Sequence, residues 1–469
     1  MPTPMPPRPD PGNVQGLILR GYAHHPYSCH MLFTFPDLTG AAQFVRALMP
    51  YVQTGQDWGS NMPLRMLNIG LTYSGIMIFD VDSKLAGQFP YEFQSGPWSD
   101  SSQESLFDAG TDDPSDPSLW WNGLPDPTLI HCIVHSYGLT ADALSGLVEI
   151  VSQAAEANRL TEVLPLKSGG RLEEYAPLGN FIHFGYHDGI DNPDLGWPKY
   201  QEDTVPSDLN NFVIGYPGSN SQPGPQGATA AAAFAKDGCY NAFRIFYQDV
   251  EAFDQFLAGN ALAVANETGR SPDDAKEWLA AKLVGRWRNG SPLVLSPDAP
   301  DPKTSDCKNF GYSADTAGLR CPFSAHSRVA NPRDEPTFPG TDTPVPRISR
   351  RGMPYGAPPV PPDYSGERGL IGLFLCGSLV NQFEKLYTWI NTNDFSSVFS
   401  SPTQDALLAN RVPPADGNNS DVDPSFTIPV PNGNPIVIPT MPQFLVTRGT
   451  AYCLLPSIAT LQQLAGMAK

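Results

Sequence analysis

The stretch His131-Cys-Ile-Val-His-Ser-Tyr137, together with residues 141–157 shortly after it, decides the fold class that the sequence predicts. The first segment predicts a strand. The second predicts a helix, because its apolar residues recur at helical spacing, at Leu144, Leu147, Ile150, Val151 and Ala154. A strand followed by an amphipathic helix is the unit from which mixed sheet-and-helix folds are built.

The same order of strand and helix occurs in both halves of the chain. Predicted strands lie at residues 30–35, 67–79, 131–137, 241–248, 369–376 and 443–455, and predicted helices at 41–49, 141–157, 250–262, 271–284 and 379–390. Such units, present twice on antiparallel sheets, predict an α+β protein of two ferredoxin-like domains.

The boundary between the two domains is predicted near residues 215–235, where the sequence becomes low in complexity. We therefore predict an N-terminal domain over residues 1–220 and a C-terminal domain over residues 221–469. A chain of 469 residues fits this division, because a single core rarely grows beyond roughly 250–300 residues. Residues 94–127 and 413–442 are rich in Pro, Ser, Asp or Asn and are predicted to be loops.

The composition excludes two classes of partner. Lys and Arg number 29 and Asp and Glu number 48, which gives a net charge of -19. Such a surface repels nucleic acid and anionic membranes, and no apolar run is long enough to predict a transmembrane helix. We expect an extracellular, secreted protein, because acidic chains are common among secreted proteins, although the chain as given shows no signal peptide.

The seven cysteines are scattered and form no C-x-x-C pair. A zinc site or a dense disulfide framework is therefore not expected. Cys307 and Cys321 bracket a loop, and their spacing leaves open whether they form a disulfide or remain free thiols.

The pentapeptide Gly185-Tyr-His-Asp188-Gly189 is the first motif that indicates chemistry. Its glycines, which have no Cβ, would allow a carboxylate to lie close to a bound planar ligand. The alternative is an ordinary turn, because Asp-Gly pairs are frequent in turns. Asp188 and His187 are adjacent in the sequence, and because neighbouring side chains usually point apart, only one of the two is expected to face such a ligand.

A second motif, Arg320-Cys-Pro-Phe-Ser-Ala-His326-Ser-Arg328, is followed by Asn331-Pro-Arg333. A neutral imidazole such as that of His326 is a good axial ligand of haem iron. Arg328 and Arg333 could then pair with the haem propionates, because guanidinium groups bind carboxylates in a bidentate manner. The alternative is a loop histidine flanked by arginines that face solvent.

Two further segments are unusual. The arginine pair in Arg350-Arg-Gly-Met-Pro-Tyr355-Gly could stabilise negative charge on a bound peroxide, or it could form an exposed basic turn. The segment Val284-Gly-Arg-Trp-Arg-Asn-Gly-Ser-Pro-Leu293 follows a predicted helix, and we interpret it mainly as a packing motif around a buried tryptophan.

These four motifs, with Asn13-Val-Gln-Gly near the start, resemble the dye-decolorizing peroxidases in order and spacing over nearly the whole chain. Tyr186 departs mildly from the family pattern, in which phenylalanine is more frequent. The length and the loop insertions resemble the extended fungal subgroup. The resemblance implies a fold of the dimeric α+β barrel-like superfamily, with one haem b per chain bound between a sheet and helices.

The resemblance also implies roles for individual residues. His326 would be the proximal ligand of the haem iron, Asp188 the distal acid-base, and Arg350 the stabiliser of charge. Because a ligating imidazole usually has a carboxylate or carbonyl partner, Asp405 is a candidate partner of His326. Further candidates are Tyr355 and Trp389, which could relay electrons to the surface or simply pack in the core.

The implied activity is the oxidation of dyes, phenols and other aromatic compounds by hydrogen peroxide. Mn(II) is a further candidate substrate, for which Asp191, Asp194 and Glu202 could supply ligands, although their spacing specifies no site. An acidic optimum is expected, since a carboxylate stays ionised at lower pH than an imidazole stays neutral. The alternative is a non-enzymatic protein that binds haem or handles iron, which would need His326 but neither Asp188 nor Arg350.

Overall fold

The computed structural model describes residues 8–110, 113–175, 178–193, 195, 209–216, 224–335, 345–393, 395, 403–411, 423–431 and 433–468. Within these ranges, the strands of the first half are β1 Tyr27–Thr34, β2 Arg65–Leu71, β3 Cys132–Gly138, β4 Thr161–Val163 and β5 Leu172–Tyr175. Its α-helices are α1 Gly16–Leu19, α2 Leu38–Leu48, α3 Tyr73–Phe79, α4 Tyr91–Ser95, α5 Asp100–Leu106, α6 Trp120–Gly123, α7 Ala141–Ala157 and α8 Ala230–Ala235.

Four of these strands form an antiparallel sheet in the order β4-β1-β3-β2. With α2 after β1 and α7 after β3, this order is that of a ferredoxin-like unit. Helix α2 begins after Asp37, whose carboxylate accepts the N–H of Gly40, and α7 begins after Thr140, whose hydroxyl accepts the N–H of Ala143.

The second half repeats the plan. Its strands are β6 Cys239–Gln248, β7 Ser349–Arg350, β8 Met353–Tyr355, β9 Gly369–Cys376, β10 Phe426–Ile428, β11 Ile436–Ile438 and β12 Leu445–Leu455. Its α-helices are α9 Val250–Thr268, α10 Pro272–Val284, α11 His326–Ala330, α12 Lys385–Thr392 and α13 Ile458–Gly466. The strand order β12-β6-β9-β7 corresponds, strand for strand, to that of the first unit.

The two four-stranded arrangements join edge to edge, through the pairing of Leu71 in β2 with Leu454 in β12. The C-terminal helix α13 packs on α2 of the first unit, and Arg46 donates to the carbonyls of Ala465 and Ala468. The predicted α+β fold with two ferredoxin-like units is therefore confirmed. The predicted boundary between residues 220 and 221 lies outside the described residues, so the division at that position stays a prediction.

The structure corrects several local predictions. Residues 73–79, predicted as strand-like, form α3, and the predicted loop 94–127 contains α5 and α6. Residues 443–455, predicted to be two strands, form the single strand β12 with an irregularity between Thr447 and Gly449. Residues 379–390 begin with a π-helical turn, Leu379–Glu384, before α12.

All seven cysteines are free thiols, which answers the question about Cys307 and Cys321. Within the described ranges, no helix has the length and apolar character needed to cross a membrane.

Candidate active site

A cavity of about 190 Å³ lies against the second ferredoxin-like unit. His326, Asp188 and Arg350 all line it, so the structure brings together the three residues that the sequence singled out. The rest of its wall is mostly apolar, with Ile182, Phe246, Val284, Leu370, Phe374, Leu386, Ile390, Leu407 and Leu408.

His326 opens the short helix α11 and is held by a buried carboxylate. Its Nδ1 lies 2.9 Å from Oδ2 of Asp405, whose side chain is fully buried. The other oxygen of Asp405 accepts the backbone N–H groups of Leu407 and Leu408. Burial opposes ionisation of Asp405, but His326 and these N–H groups together hold its pKa below the ordinary value. Since Nδ1 is engaged by Asp405, Nε2 is the nitrogen of His326 left for a ligand in the cavity.

Asp188 and Arg350 form an ion pair, with 3.3 Å between Oδ1 and Nη1. Their side chains are 39 % and 33 % exposed, so both are accessible to a small molecule. The side chain of Asn192, three residues after the pentapeptide, accepts the backbone N–H of Arg350 and so holds the end of β7 near Asp188. Burial opposes ionisation of Asp188, but Arg350, the N–H of Gly189 and His326 together hold its pKa below the ordinary value.

The two glycines of the pentapeptide have positive φ angles, +81° at Gly185 and +80° at Gly189. Residues with a Cβ rarely adopt this conformation, so the glycines are needed for the turn that presents Asp188. A Cβ at Gly185 would also lie 2.9 Å from Nη1 of Arg288. The pentapeptide is therefore both a glycine-dependent turn and part of the candidate site, because the turn is what places Asp188 at the cavity.

His187 also lines the cavity, but its ring packs against Phe181 with 5.3 Å between centroids. Its Nδ1 lies 3.5 Å from the carboxylate of Asp306, a side chain that is 80 % exposed. Asp188, and not His187, is the neighbour that pairs with Arg350.

Arg328 does not line the cavity, contrary to what a propionate-binding role requires. It is fully buried, and its guanidinium donates to the carboxylates of Asp315 and Glu335 and to the carbonyl of Cys321. These contacts fit a structural role, the holding of α11 against the preceding loop.

Arg333 pairs with Asp191, with 2.7 Å between Nη2 and Oδ2, and lies over the ring of Phe310. Asp191 lines the cavity and also pairs with Arg347 at 3.2 Å. Arg333 thus reaches the cavity wall through Asp191 rather than directly.

Two cavity arginines escaped the sequence interpretation, Arg286 and Arg347. Arg286 was assigned to a packing motif, and its neighbour Trp287 is indeed buried and donates to the carbonyl of Ser296. Arg286 donates through Nη1 to Gly290 and Cys307, whereas its buried Nη2 has no hydrogen-bond partner among the described residues. A charged residue next to a buried tryptophan was the signal that could have indicated it.

Tyr355 and Trp389 are 1 % and 3 % exposed, so neither presents its ring to solvent. Trp389 donates through Nε1 to the carbonyl of Val329, in the same helix as His326, at 2.9 Å. Tyr355 lies on β8 within the core. The electron-relay role of Tyr355 and Trp389 stays a prediction. Because both rings are buried, such a relay would need further residues to reach the surface.

The described residues contain no group of three or more His, Cys, Asp or Glu side chains arranged to hold a metal ion. Of the acidic residues considered for Mn(II), Asp191 is paired with two arginines, while Asp194 and Glu202 lie outside the described residues.

A second cavity of about 480 Å³ adjoins the first, and Asp188 and Arg350 line both. Its walls include Tyr22, Tyr137 and Arg351. The pair Asp188–Arg350 therefore lies where the two cavities meet.

No family model matches the chain. Among curated proteins, it is 27 % identical over 482 residues to Peroxidase 2 of Mycetinis scorodonius, covering 96 % of this chain and 86 % of the relative. It is 28 % identical over 501 residues to a dye-decolorizing peroxidase of Mycena epipterygia, covering 97 % and 87 %. These matches confirm the predicted resemblance and the predicted class of enzyme, a peroxidase.

Solved structures show the same fold. A DyP-type peroxidase from Auricularia auricula-judae superposes with a TM-score of 0.76 at 23 % identity, covering 98 % of this chain and 100 % of that structure. A dye-decolorizing peroxidase in complex with 2,6-dimethoxyphenol superposes with a TM-score of 0.75 at 24 % identity, again covering 98 % and 100 %.

Proposed function

We propose that this chain, a peroxidase similar over almost its whole length to dye-decolorizing peroxidases, binds haem b and uses hydrogen peroxide to oxidise dyes and phenols. The observation that carries the proposal is the cavity itself. It combines an imidazole backed by a carboxylate, His326 with Asp405, and an accessible carboxylate–guanidinium pair, Asp188 with Arg350.

The residues of the cavity fit haem b. Nε2 of His326 is available for an axial bond, and the apolar wall suits a porphyrin ring. Nη2 of Arg286, buried without a partner in the described part of the chain, offers a donor for a propionate, and Arg347 and Arg333 add positive charge nearby. When bound, haem would supply an iron that accepts an oxygen atom and two oxidising equivalents from peroxide.

Side chains of the protein would transfer the proton of peroxide and balance the charge that develops during the reaction. Asp188, ionised and partly exposed to the cavity, would take a proton from one oxygen of peroxide and return it to the departing oxygen. Arg350 would balance the negative charge that develops during this transfer. Asp405 would fix the orientation of His326 and increase the basicity of its imidazole.

Several observations support the substrate assignment. One structural neighbour is described in complex with 2,6-dimethoxyphenol, and relatives are named for dye decolorization. The adjoining second cavity would give peroxide and small phenols a route to Asp188. For Mn(II), the described residues offer no group of three or more His, Cys, Asp or Glu side chains that could hold the ion.

The proposal is tested by reconstituting the protein with haem and adding one equivalent of peroxide. The optical spectrum is expected to change at once and to return to its starting form when a dye or phenol is added. A haem carrier, the alternative function, has no need of Asp188 and Arg350, and its spectrum would only bleach.

Replacement of Asp405 by Asn is expected to weaken haem retention by about 10- to 100-fold, because the imidazole of His326 loses its anionic partner. The rate of haem transfer to an excess of a haem-accepting apoprotein measures retention. Asp142→Asn, a replacement of an exposed carboxylate on the first unit, is the control. Equal haem loss in both variants would contradict the role of Asp405.

The pH dependence follows from Asp188. A carboxylate whose pKa is lowered stays active as a base down to low pH, and its contribution is lost as the pH falls through that pKa. The rate of reaction with peroxide should therefore hold from neutral pH downward and fall only below the ordinary carboxyl pKa of 3.8. In Arg350→Ala, the fall should occur at higher pH, because the cation that favours the ionised carboxylate is absent. Stopped-flow rates between pH 3 and 7, taken on protein shown to be folded, decide this; an unmoved profile would contradict the pairing.

A further inference from the structure

A buried carboxylate outside the cavity is not used by the proposed mechanism. Glu384 ends the π-helical turn before α12 and is 3 % exposed. Its Oε1 accepts hydrogen bonds from Ser102 Oγ at 2.7 Å and from Tyr452 Oη at 2.8 Å. No lysine or arginine in the described ranges forms an ion pair with it. Burial, with a smaller effect of Glu92, raises the pKa of Glu384 despite these two hydrogen bonds.

Aromatic rings connect this carboxylate to the cavity. Tyr387 lines the cavity, and its ring centroid lies 4.8 Å from that of Phe383. Phe383 lies in turn 6.0 Å from Tyr452, in an edge-to-face arrangement. One phenyl ring therefore separates the tyrosine of the cavity wall from Tyr452, which is 2 % exposed.

The two tyrosines differ in what surrounds their hydroxyl groups. A buried tyrosine that loses an electron must also lose its phenolic proton, because an uncompensated charge in the interior is costly. Tyr387 has no hydrogen-bond partner for its hydroxyl among the described residues, and the guanidinium of Arg244 lies 4.7 Å over its ring. Asp108 balances the charge of that guanidinium, so the two tyrosines differ in their proton acceptor. Tyr452, by contrast, already donates its proton to a carboxylate.

We propose that Tyr452 is a redox-active tyrosine and that Glu384 is its proton acceptor. The proposal rests on the proposed function, because the oxidant is the haem centre after its reaction with peroxide. Tyr452 gives one electron to that centre while its Oη–H bond breaks, a carboxyl O–H bond forms on Glu384, and a neutral phenoxyl radical remains. A phenolic substrate later supplies one electron through the same rings, and Glu384 returns the proton. One oxidising equivalent is thus stored away from the cavity.

The test mixes haem-loaded protein with one equivalent of peroxide, without substrate, and freezes it rapidly for both optical and electron paramagnetic resonance spectra. We expect a tyrosyl signal in the unchanged protein that is lost in Tyr452→Phe. It should also be lost in Glu384→Gln, because the amide keeps the shape of the side chain but cannot accept the proton. The matched control is Tyr240→Phe, at a buried tyrosine whose hydroxyl has no partner among the described residues; this variant should keep the signal.

The two spectra separate the possible failures. An optical change with an equal tyrosyl signal in Tyr452→Phe overturns this inference and leaves the proposed function intact. No optical change with peroxide overturns both, because Tyr452 then has no oxidant. If Tyr452→Phe does not fold, the Glu384→Gln variant provides the test. A tyrosyl signal in that variant equal to that of the unchanged protein overturns the inference.

Discussion

Replacing Asp188 by Asn is expected to slow the reaction with hydrogen peroxide by about 10²- to 10⁴-fold, the usual contribution of a positioned acid-base group. Asn has nearly the same shape and can still accept a hydrogen bond from Nη1 of Arg350, which now lies 3.3 Å from the carboxylate. It cannot accept a proton from peroxide. The chemical step should therefore be impaired while the cavity keeps its form.

Stopped-flow optical measurements on protein saturated with haem give this rate directly, and the haem content of each sample is determined first. The control is Asp306→Asn, which removes one negative charge close to the cavity from a side chain that is 80 % exposed and contacts His187 rather than Arg350. A variant at Asp188 that reacts as fast as this control would mean that another group transfers the proton.

A second large effect, on stability, is expected at the ion pair of Asp108 and Arg244, which packs against the cavity wall. The side chains are 3 % and 2 % exposed, and Arg244 donates to both oxygens of Asp108, at 2.7 and 2.6 Å. Two threonines, Thr447 and Thr450, accept its remaining hydrogen bonds at 2.8 Å. The guanidinium also lies over Phe246 and Tyr387, two rings of the cavity wall.

Asp108→Asn is expected to lower the free energy of unfolding by about 3–5 kcal/mol, because it leaves the charge of Arg244 buried without compensation. Denaturant unfolding followed by circular dichroism measures the loss. Asp82→Asn provides the comparison, since the pair of Asp82 with Lys84 is 67 % and 70 % exposed and should contribute nothing measurable. Similar losses in both variants would show that the buried pair has no special role.

The geometry of the long-range contacts of the site could not be predicted from local sequence patterns. Asp405 lies 79 positions from His326, and Asp188 lies 162 positions from Arg350. The resemblance indicated these residues, but their distances depend on how two sheet units and several loops pack. Arg328 is the clearest example. Its position two residues after His326 suggested a contact with a group bound in the cavity, whereas its side chain pairs with Asp315 and Glu335 instead.

By itself, the sequence determined the alternation of strands and helices, because hydrophobic periodicity is a local property of each segment. It also determined the turn that presents Asp188, because positive φ angles at Gly185 and Gly189 require glycine. Only the tertiary structure decided which charged groups face the cavity and which pair elsewhere. Hydrophobic periodicity does not specify which helices and strands pack against each other. The burial of Glu384 beside Tyr452, for example, depends on that packing.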